Sequence, residues 1–439
     1  MQLFLQLTAL FLALISHQHE ALAQTKLTYT SFLFPVTKHT DTPKPLYSIE
    51  LMTTFVNMQF SHANFLIDIE APLTWHDCIL EWNRIPESSC PTNKLCTSPI
   101  SSEEHECSEI RSSYSYQNPS CPPLTNSSTL PGWGFHTCPV NVMNPVDGNC
   151  TQPELNGDSF AANASDGRNP FLVYHDINIY AACAPSSTFE SFPAQVSGVM
   201  AFSSSPYALP AYYHQSSLKT SLALCLPSTP SDHGVLFFGS GPYYLLPHSD
   251  VDLRSLLSYT PLLKHSDSFS YYIGVNAISI KRRSIDIPGS TTTKLSTTEP
   301  YTTLRSDIYN PVIRRFSVVT KRMPRAEPVA PFSLCLRTIT NGTRNDFNVP
   351  DIDFNFPNGK NWTISTANSM KQVTEDVACF AFVDGGLASD HAIVIGAFQM
   401  ENNFLVFDLE NSTLGFSSSL LTKDTSCANF NFTTGSFLN

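Results

Sequence analysis

The sequence predicts a protein dominated by β-strands, folded in two lobes and with few, short helices. Short apolar runs recur along the chain, separated by Gly, Pro, Asn and Asp, as is typical of β architectures. Proline is frequent, with 32 among 439 residues, and long stretches of helical periodicity are rare. Without an N-terminal leader, about 415 residues remain, which exceeds the usual size of a single core and favours two lobes.

The N-terminus has the pattern of a secretory signal peptide over residues 1–23. The stretch from Leu3 to Ile15 is almost wholly apolar, and Ala21-Leu22-Ala23 supplies the small residues of a cleavage site, although no Lys or Arg precedes it. The alternative is a membrane anchor, which would need about 20 apolar residues. Because this run is shorter and ends at Ser16, we expect secretion into the extracellular space and no membrane partner.

The cysteines and the N-x-S/T sequons agree with export. An even count of twelve cysteines predicts disulfides. The alternative, a zinc site, is disfavoured because no C-x2-C pair occurs, so no metal is expected. Seven cysteines crowd between Cys78 and Cys150, which predicts a stapled, loop-rich stretch. The predicted glycosylation sites are Asn126, Asn149, Asn163, Asn341, Asn361, Asn411 and Asn431.

Individual elements follow from the apolar pattern. The segment from Ser306 to Val318 is the best helix candidate, with Ser306 as a possible N-cap. Apolar content falls around residues 227–232, where we place the boundary between lobes 24–229 and 230–439. The predicted strands are 65–69, 235–239, 392–396 and 404–408.

Charge and motif content exclude several functions. The formal net charge is −12 and basic clusters are few, so a nucleic-acid partner is not expected. His105, His136 and His391 lack an accompanying nucleophile motif, and Gly385-Gly386 is not followed by Lys-Ser/Thr. We therefore predict no cofactor.

The segment Leu66 to Trp75 resembles the first active-site segment of pepsin-type aspartic proteases. That family carries Asp-Thr-Gly with a Trp seven positions after the Asp, and Asp68 and Trp75 keep this spacing. Further runs resemble, in order, one plant subfamily that contains xylanase inhibitors, extracellular dermal glycoproteins, endoglucanase inhibitors and basic 7S globulins. These runs are residues 182–187, 196–202, 222–228, 300–309 and 396–403. The resemblance covers nearly the whole chain after the leader and implies a bilobal pepsin-like fold.

The resemblance also indicates that the catalytic pair is broken. Aspartic proteases need two carboxylates that share a proton. The family pattern places the second Asp thirteen residues before Tyr309, where this sequence has Ser296. At the first motif, Ile69 and Glu70 replace the Thr and Gly, although glycine reaches backbone angles that other residues avoid. We interpret Asp68 and Ser296 as relic positions. Asp307 falls at a helix start and is disfavoured as a substitute acid.

The subfamily implies a secreted protein of the plant apoplast or cell wall that binds microbial glycoside hydrolases, either xylanase or endoglucanase. Such an inhibitor inserts a loop into the sugar cleft of the enzyme, where a charged or polar side chain engages the paired carboxylates and a rigid, preorganised binder blocks the substrate. Cereal xylanase inhibitors carry a Leu before the Pro-Tyr pair and a His before the last Cys. The corresponding residues here are Glu299, and Leu421 or Lys423. An acid at residue 299 would be repelled by the enzyme carboxylates, whereas Lys423 would attract them; ordinary solvated surface is the alternative for both.

Two further functions stay open. One is a storage or ligand-binding globulin of the 7S kind, and the other is an aspartic endopeptidase that uses an unrecognised second acid. We expect a monomer in each case. The resemblance also implies one internal disulfide in the C-terminal lobe, for which Cys335 and Cys379 are the best pair. Cys427 lies near the C-terminus, and we expect it to be bonded to an earlier element.

Overall fold

A computed structural model describes residues 29–54, 60–80, 96–113, 121, 137–212, 218–288, 292–340, 343–344 and 347–433. The predicted signal peptide, Asn126 and Asn341 lie outside these ranges. Within them, no helix is long and apolar enough to cross a membrane.

Strands dominate the described chain. The first half contains β1 Ser31–His39, β2 Leu46–Thr54, β3 Phe60–Asp68, β4 Thr74–Asp77, β5 Ile79–Leu80, β6 Cys96–Pro99, β7 Val142–Met143, β8 Cys150–Thr151, β9 Glu154–Ser165, β10 Pro170–Ala184, β11 Val196–Ala201, β12 Ser221–Cys225 and β13 His233–Gly239. The second half contains β14 Ser258–Pro261, β15 Leu263–His265, β16 Ser268–Gly274, β17 Ala277–Ile280, β18 Arg283–Asp286, β19 Thr292–Leu295, β20 Thr302–Leu304, β21 Arg325–Ala326, β22 Cys335–Arg337, β23 Ile339–Thr340, β24 Thr343–Arg344, β25 Ile352–Asn355, β26 Asn361–Ile364, β27 Met370–Thr374, β28 Val377–Phe380, β29 Phe382–Asp384, β30 Ile393–Ile395, β31 Phe404–Asp408 and β32 Thr413–Phe416. The predicted β-rich class and the four predicted strands are confirmed.

The helices are short, as predicted. They are α1 His105–Ser113, α2 Leu209–Tyr212, α3 Ser306–Val319, α4 Thr366–Ser369 and α5 Ala397–Met400. Helix α3 confirms the predicted helix, but Ser306 as its N-cap is wrong. Arg305 precedes the first turn, and no side chain caps it. The Ser306 hydroxyl instead donates to Asp384 at 2.6 Å, because β29 runs beside the helix start.

Two halves of the molecule repeat one strand arrangement. In the first, β3 runs parallel to β11, β11 antiparallel to β4, and β4 parallel to β10. In the second, β19 runs parallel to β30, β30 antiparallel to β20, and β20 parallel to β29. This internal symmetry makes the end of β3 and the end of β19 equivalent places, one in each half.

One large sheet joins the halves. In the described residues its order is β14-β32-β31-β12-β13-β1-β2-β3-β11-β4-β10-β9-β6-β5, so it includes strands from both ends of the chain. The predicted lobe boundary after residue 229 falls in the segment between β12 and β13, which pair directly. The lobe limits therefore stay a prediction.

A buried ion pair connects β1 to the segment that precedes β31. Lys38 Nζ lies 2.6 Å from Glu401 Oε1, and their side chains are only 2% and 4% exposed. The same oxygen accepts a hydrogen bond from the Tyr47 hydroxyl at 2.5 Å, and Lys38 also donates to the Ser228 carbonyl at 2.8 Å. Burial raises the pKa of Glu401 despite these partners.

Disulfides brace both halves. Among the described residues, the bonds are Cys78–Cys183, Cys107–Cys138, Cys121–Cys150, Cys225–Cys427 and Cys335–Cys379. Cys335 and Cys379, the pair implied by the family resemblance, are bonded to each other and face one another on β22 and β28. The bond from Cys427 to Cys225 connects the C-terminal segment to β12, an interior strand of the large sheet.

Candidate functional site

The equivalent strand ends of the two halves carry Asp68 and Ser296. Asp68 is the last residue of β3, and Ser296 follows the last residue of β19. Asp68 is 7% exposed and Ser296 is fully buried. The internal symmetry thus places Ser296 where the second half would carry the counterpart of Asp68.

Both residues hold their following turn in the same way. Asp68 Oδ1 accepts hydrogen bonds from the N–H groups of Glu70 and Ala71, at 2.8 and 2.9 Å. Ser296 Oγ accepts from the N–H groups of Thr298 and Glu299, at 3.3 and 3.0 Å. A serine hydroxyl therefore reproduces the turn made by an aspartate carboxylate.

The expectation that these turns need glycine is wrong for this chain. Glu70 and Thr298, at the glycine positions, are both absent from the residues of positive φ in the described chain. Because the turns do not enter the left-handed region, residues with a Cβ are tolerated at both places.

A hydroxyl links the two motifs in one direction. Thr297 Oγ1 donates to the carbonyl of Ile67 at 2.7 Å and accepts from the N–H of Ile69 at 3.3 Å. The equivalent residue of the first motif is Ile69, whose buried apolar side chain offers no hydroxyl in return. The link is therefore one-sided, and it holds the strands of the two halves together beneath the site.

Glu70 forms an ion pair between the two halves. Its Oε2 lies 2.6 Å from Nζ of Lys294 on β19, and both side chains are less than a fifth exposed, at 18% and 17%. Burial lowers the pKa of Lys294, but the charge and hydrogen bond of Glu70 outweigh it, so the pKa is raised overall. A residue that replaces glycine thus gains a cationic partner 224 positions away.

The environment of Asp68 favours a neutral carboxyl at mildly acidic pH. Burial, followed by the negative charge of Glu70, raises the pKa of Asp68 to about 6, while its two backbone donors and Lys294 act in the opposite direction. The only described residue at the symmetric place is a serine, which cannot share a proton with Asp68 as a second carboxyl would. Asp307, the other acid considered, instead forms an ion pair with Arg305 at 2.8 Å.

Tyr272, which pairs with Lys294 in the sheet, lies beside two histidines. The Tyr272 ring lies 5.3 Å from the ring of His265 and 5.8 Å from that of His391. Burial, then the positive charge of Lys294, lowers the pKa of His391. In the described part of the chain, no three His, Cys, Asp or Glu side chains come together as a metal-binding group.

The predicted inhibitor-loop residues lie in two places. Glu299 is exposed and follows the second motif, where its carbonyl accepts from the N–H of Ala397 at 2.8 Å. Leu421 and Lys423 belong to a 3-10 turn, Leu420–Lys423, near the C-terminus. Between the described atoms of Glu299 and this turn there is no hydrogen bond or ion pair.

The predicted glycosylation sites in the described chain differ in exposure. Asn163 is half-buried within β9, which pairs with β1 and β10. Asn431 is half-buried near the C-terminus. The exposed sites are Asn149, Asn361 and Asn411.

The sequence pattern located Asp68 and Ser296 but missed the groups that connect the halves. Glu70 stood out as an acid in a glycine position, yet nothing in the local pattern identifies Lys294 as its partner. No signal in the sequence identifies Glu401 and Lys38 either, because an ion pair between distant residues has no characteristic spacing along the chain.

The fold and the paired motifs define a pepsin-like protein of two lobes. The solved structure described as "Crystal structure of edgp" matches with a TM-score of 0.77 and 29% identity, over 92% of this chain and 99% of that chain. The family models "Xylanase inhibitor N-terminal" and "Xylanase inhibitor C-terminal" match residues 52–240 and 270–418.

Relatives with related sequences extend this assignment. A gamma conglutin 1 from Prunus dulcis is 38% identical over 326 residues, which cover 72% of this chain and 74% of the relative. A protein named chitinase CLP from Oryza sativa subsp. japonica is 34% identical over 382 residues, covering 84% and 86% respectively. The chain therefore belongs to the xylanase-inhibitor-like family, which also contains gamma conglutins and 7S globulins.

Proposed function

We propose that this protein is a secreted, catalytically inactive homologue of aspartic proteases that binds and inhibits microbial cell-wall-degrading glycoside hydrolases. The inhibited enzyme would be a xylanase or an endoglucanase that is present in the plant apoplast or cell wall. The observation that carries the proposal is the rigid, exposed turn Leu420–Lys423, which presents an apolar and a cationic side chain on the scaffold of this family.

The site supports the proposed loss of peptidase chemistry. Asp68 has Ser296 at the symmetric place, and the Glu70–Lys294 pair joins the halves beside it. Water activation by an aspartic protease needs one carboxylate to accept a proton while the other donates one. With a single carboxyl group, the site lacks the second carboxyl that would donate the proton. We therefore propose that the protein is not an enzyme.

The turn is held in place before any partner binds. The N–H of Leu420 donates to the Asn402 carbonyl at 2.7 Å, and the hydroxyl of Thr425 donates to the Leu246 carbonyl at 2.5 Å. The Cys225–Cys427 disulfide anchors the segment that follows. A loop that is already ordered loses little conformational entropy on binding, which favours tight inhibition.

The exposed side chains suit a glycosidase cleft. Leu421 is 47% exposed, and Leu246 on the adjoining segment is 45% exposed. Lys423 is also exposed. The active sites of most glycosidases contain two carboxylates, which a lysine can approach as a counter-ion. Glu299 would repel the carboxylates of the enzyme and is not assigned to this contact.

The test is inhibition of purified secreted fungal xylanases and endoglucanases by the mature protein, together with a pull-down. We expect Lys423→Glu and Leu421→Asp each to raise the inhibition constant at least about tenfold, whereas the exposed control Lys360→Glu leaves it unchanged. Hydrolysis of xylan, glucan and chitin by the protein alone is measured in parallel. Absence of binding to any hydrolase at micromolar concentration would refute the proposal.

A second candidate is a storage or ligand-binding globulin. It is favoured by the gamma conglutin 1 relative, which is the most identical of the relatives described above. High abundance in seed together with no hydrolase binding would support this alternative over inhibition.

A further inference from the structure

A groove of about 450 Å³ lies beside the second motif, and its lining includes two lysines that the proposed function does not involve. The residues that matter for its chemistry are Lys44, Glu299, Tyr301, Thr303, Phe332 and Lys371. A volume of this size is in the range of small-molecule sites, which combine apolar walls with a few polar groups.

The wall of the groove is aromatic and firmly supported. The ring of Tyr301 lies 4.7 Å from that of Phe332 and 5.8 Å from that of Phe398. Phe332 and Phe398 are nearly buried and pack in one cluster with the disulfide of Cys335 and Cys379. These contacts fix the ring faces in place without a ligand.

Lys371 supplies an ammonium group that no described carboxylate neutralises directly. Its Nζ lies 5.5 Å from the centre of the Phe398 ring, and it makes no hydrogen bond or ion pair within the described residues. Burial, then the positive charge of Lys38, lowers the pKa of Lys371, although Glu401 acts in the opposite direction. Glu401 is itself held by Lys38 and Tyr47, so it is not available to Lys371.

We propose that this groove binds a uronic acid, a sugar ring that carries one carboxylate. The carboxylate would pair with Lys371, and Lys44, which also lines the groove, would add a second positive charge. The aromatic wall would contact the apolar face of the ring. The hydroxyls of Tyr301 and Thr303 would donate hydrogen bonds to the sugar hydroxyls or accept them, and the carboxylate of Glu299 would accept hydrogen bonds from the sugar hydroxyls.

A uronic acid fits better than a simpler anion. Inorganic phosphate would leave the aromatic wall without a partner, and a neutral sugar would leave Lys371 unpaired. An aromatic carboxylate such as benzoate has no hydroxyls to meet Thr303 and Glu299.

The test is titration of the mature, disulfide-bonded protein with galacturonate, galactose, benzoate and phosphate, followed by ligand-observed NMR and calorimetry. We expect galacturonate to bind more tightly than each of the others. Lys371→Met should weaken galacturonate binding at least about tenfold, the size of a lost charged hydrogen bond, and Lys371→Arg should restore most of it. Lys360→Met, an exposed lysine on the β25–β26 turn, serves as the matched control.

Several outcomes would overturn the proposal. These are equal affinity for galactose, benzoate or phosphate, or galacturonate binding that survives Lys371→Met. If that variant does not fold, as judged by its thermal unfolding, Lys44→Met, at the other lysine that lines the groove, must weaken galacturonate binding at least about threefold, and an unchanged affinity would refute the site. The outcome is independent of hydrolase inhibition, because no hydrolase is present.

Discussion

Removal of Lys38 from the buried pair with Glu401 should destabilise the protein strongly. At 2.6 Å and an effective dielectric constant of about 20, the two charges attract by about 6 kcal/mol, and desolvation of both ions cancels part of this. Lys38→Met leaves the Glu401 carboxylate buried, and within the described residues the Tyr47 hydroxyl is then its one remaining hydrogen-bond partner. We therefore expect the free energy of unfolding to fall by about 3–5 kcal/mol at pH 7.

The deficit should depend on pH in a defined direction. The pKa of Glu401 is raised in the folded protein, chiefly by burial, so its ionisation opposes folding as the pH rises above the ordinary value of 4.5. Without Lys38 this opposition increases. At pH 4 the carboxyl binds a proton in both states, and the difference between wild type and Lys38→Met should shrink.

The assay is urea unfolding at pH 7 and pH 4, for Lys38→Met, Glu401→Gln and the double variant. The double variant should be more stable than the sum of the single losses predicts, because neither partner is left charged and alone. Arg337→Met, which removes an ion pair whose side chains are 50% and 45% exposed, is the control and should cost less than about 1 kcal/mol. A loss below about 1 kcal/mol for Lys38→Met, or additive single losses, would refute the reasoning.

Three further predictions concern the relic site, a buried histidine and the C-terminal disulfide. Because burial raises the pKa of Asp68 from 3.8 to about 6, its ionisation increasingly opposes folding as the pH rises between these two values, and the full penalty persists at higher pH. Asp68→Asn should therefore stabilise the protein by roughly 2 kcal/mol at pH 7 and by much less at pH 3, measured by urea unfolding; equal effects at both pH values would contradict this. Burial lowers the pKa of His76, but Asp158, 2.5 Å from its Nε2, raises it overall. The stabilisation by the charged histidine is complete below pH 6.5 and is lost as the pH rises through the folded-state pKa. Asp158→Asn should therefore lower the free energy of unfolding by about 1–2 kcal/mol at pH 6 and by less at pH 9. A loss that does not depend on pH would argue against this prediction. Replacing both Cys225 and Cys427 by Ser should lower the free energy of unfolding by about 2–4 kcal/mol and weaken hydrolase inhibition, whereas unchanged inhibition would show that this tie does not order the turn.

The elements that local pattern specifies were predictable. Helix α3 and the strands β3, β13, β30 and β31 follow from apolar runs and the turn residues between them. The N-cap of α3 was not, because Ser306 has a better partner in Asp384 on a strand far along the chain. A hydroxyl chooses between local and distant acceptors only once the tertiary structure has brought both within reach.

The candidate site shows the same division. The spacing of Asp68 and Trp75 predicted the first motif, and counting back from Tyr309 predicted Ser296 as the residue at the second. The use of glycine as a criterion for the turn failed, because Glu70 and Thr298 make it with negative φ. Lys371 gave no signal, since its role depends on the ring of Phe398 and on the groove beside it.

The sequence by itself determined the β-rich class, the family, and the absence of an acid at the second motif. These properties reside in single residues and in short patterns that can be counted along the chain. The tertiary structure alone decided that Glu70 pairs with Lys294, that Lys38 pairs with Glu401, and that the turn at Leu421 is anchored and exposed. Some of these contacts join segments that lie more than two hundred residues apart in the sequence. Their energy depends on the distance between the groups and on their burial, and the local sequence specifies neither quantity.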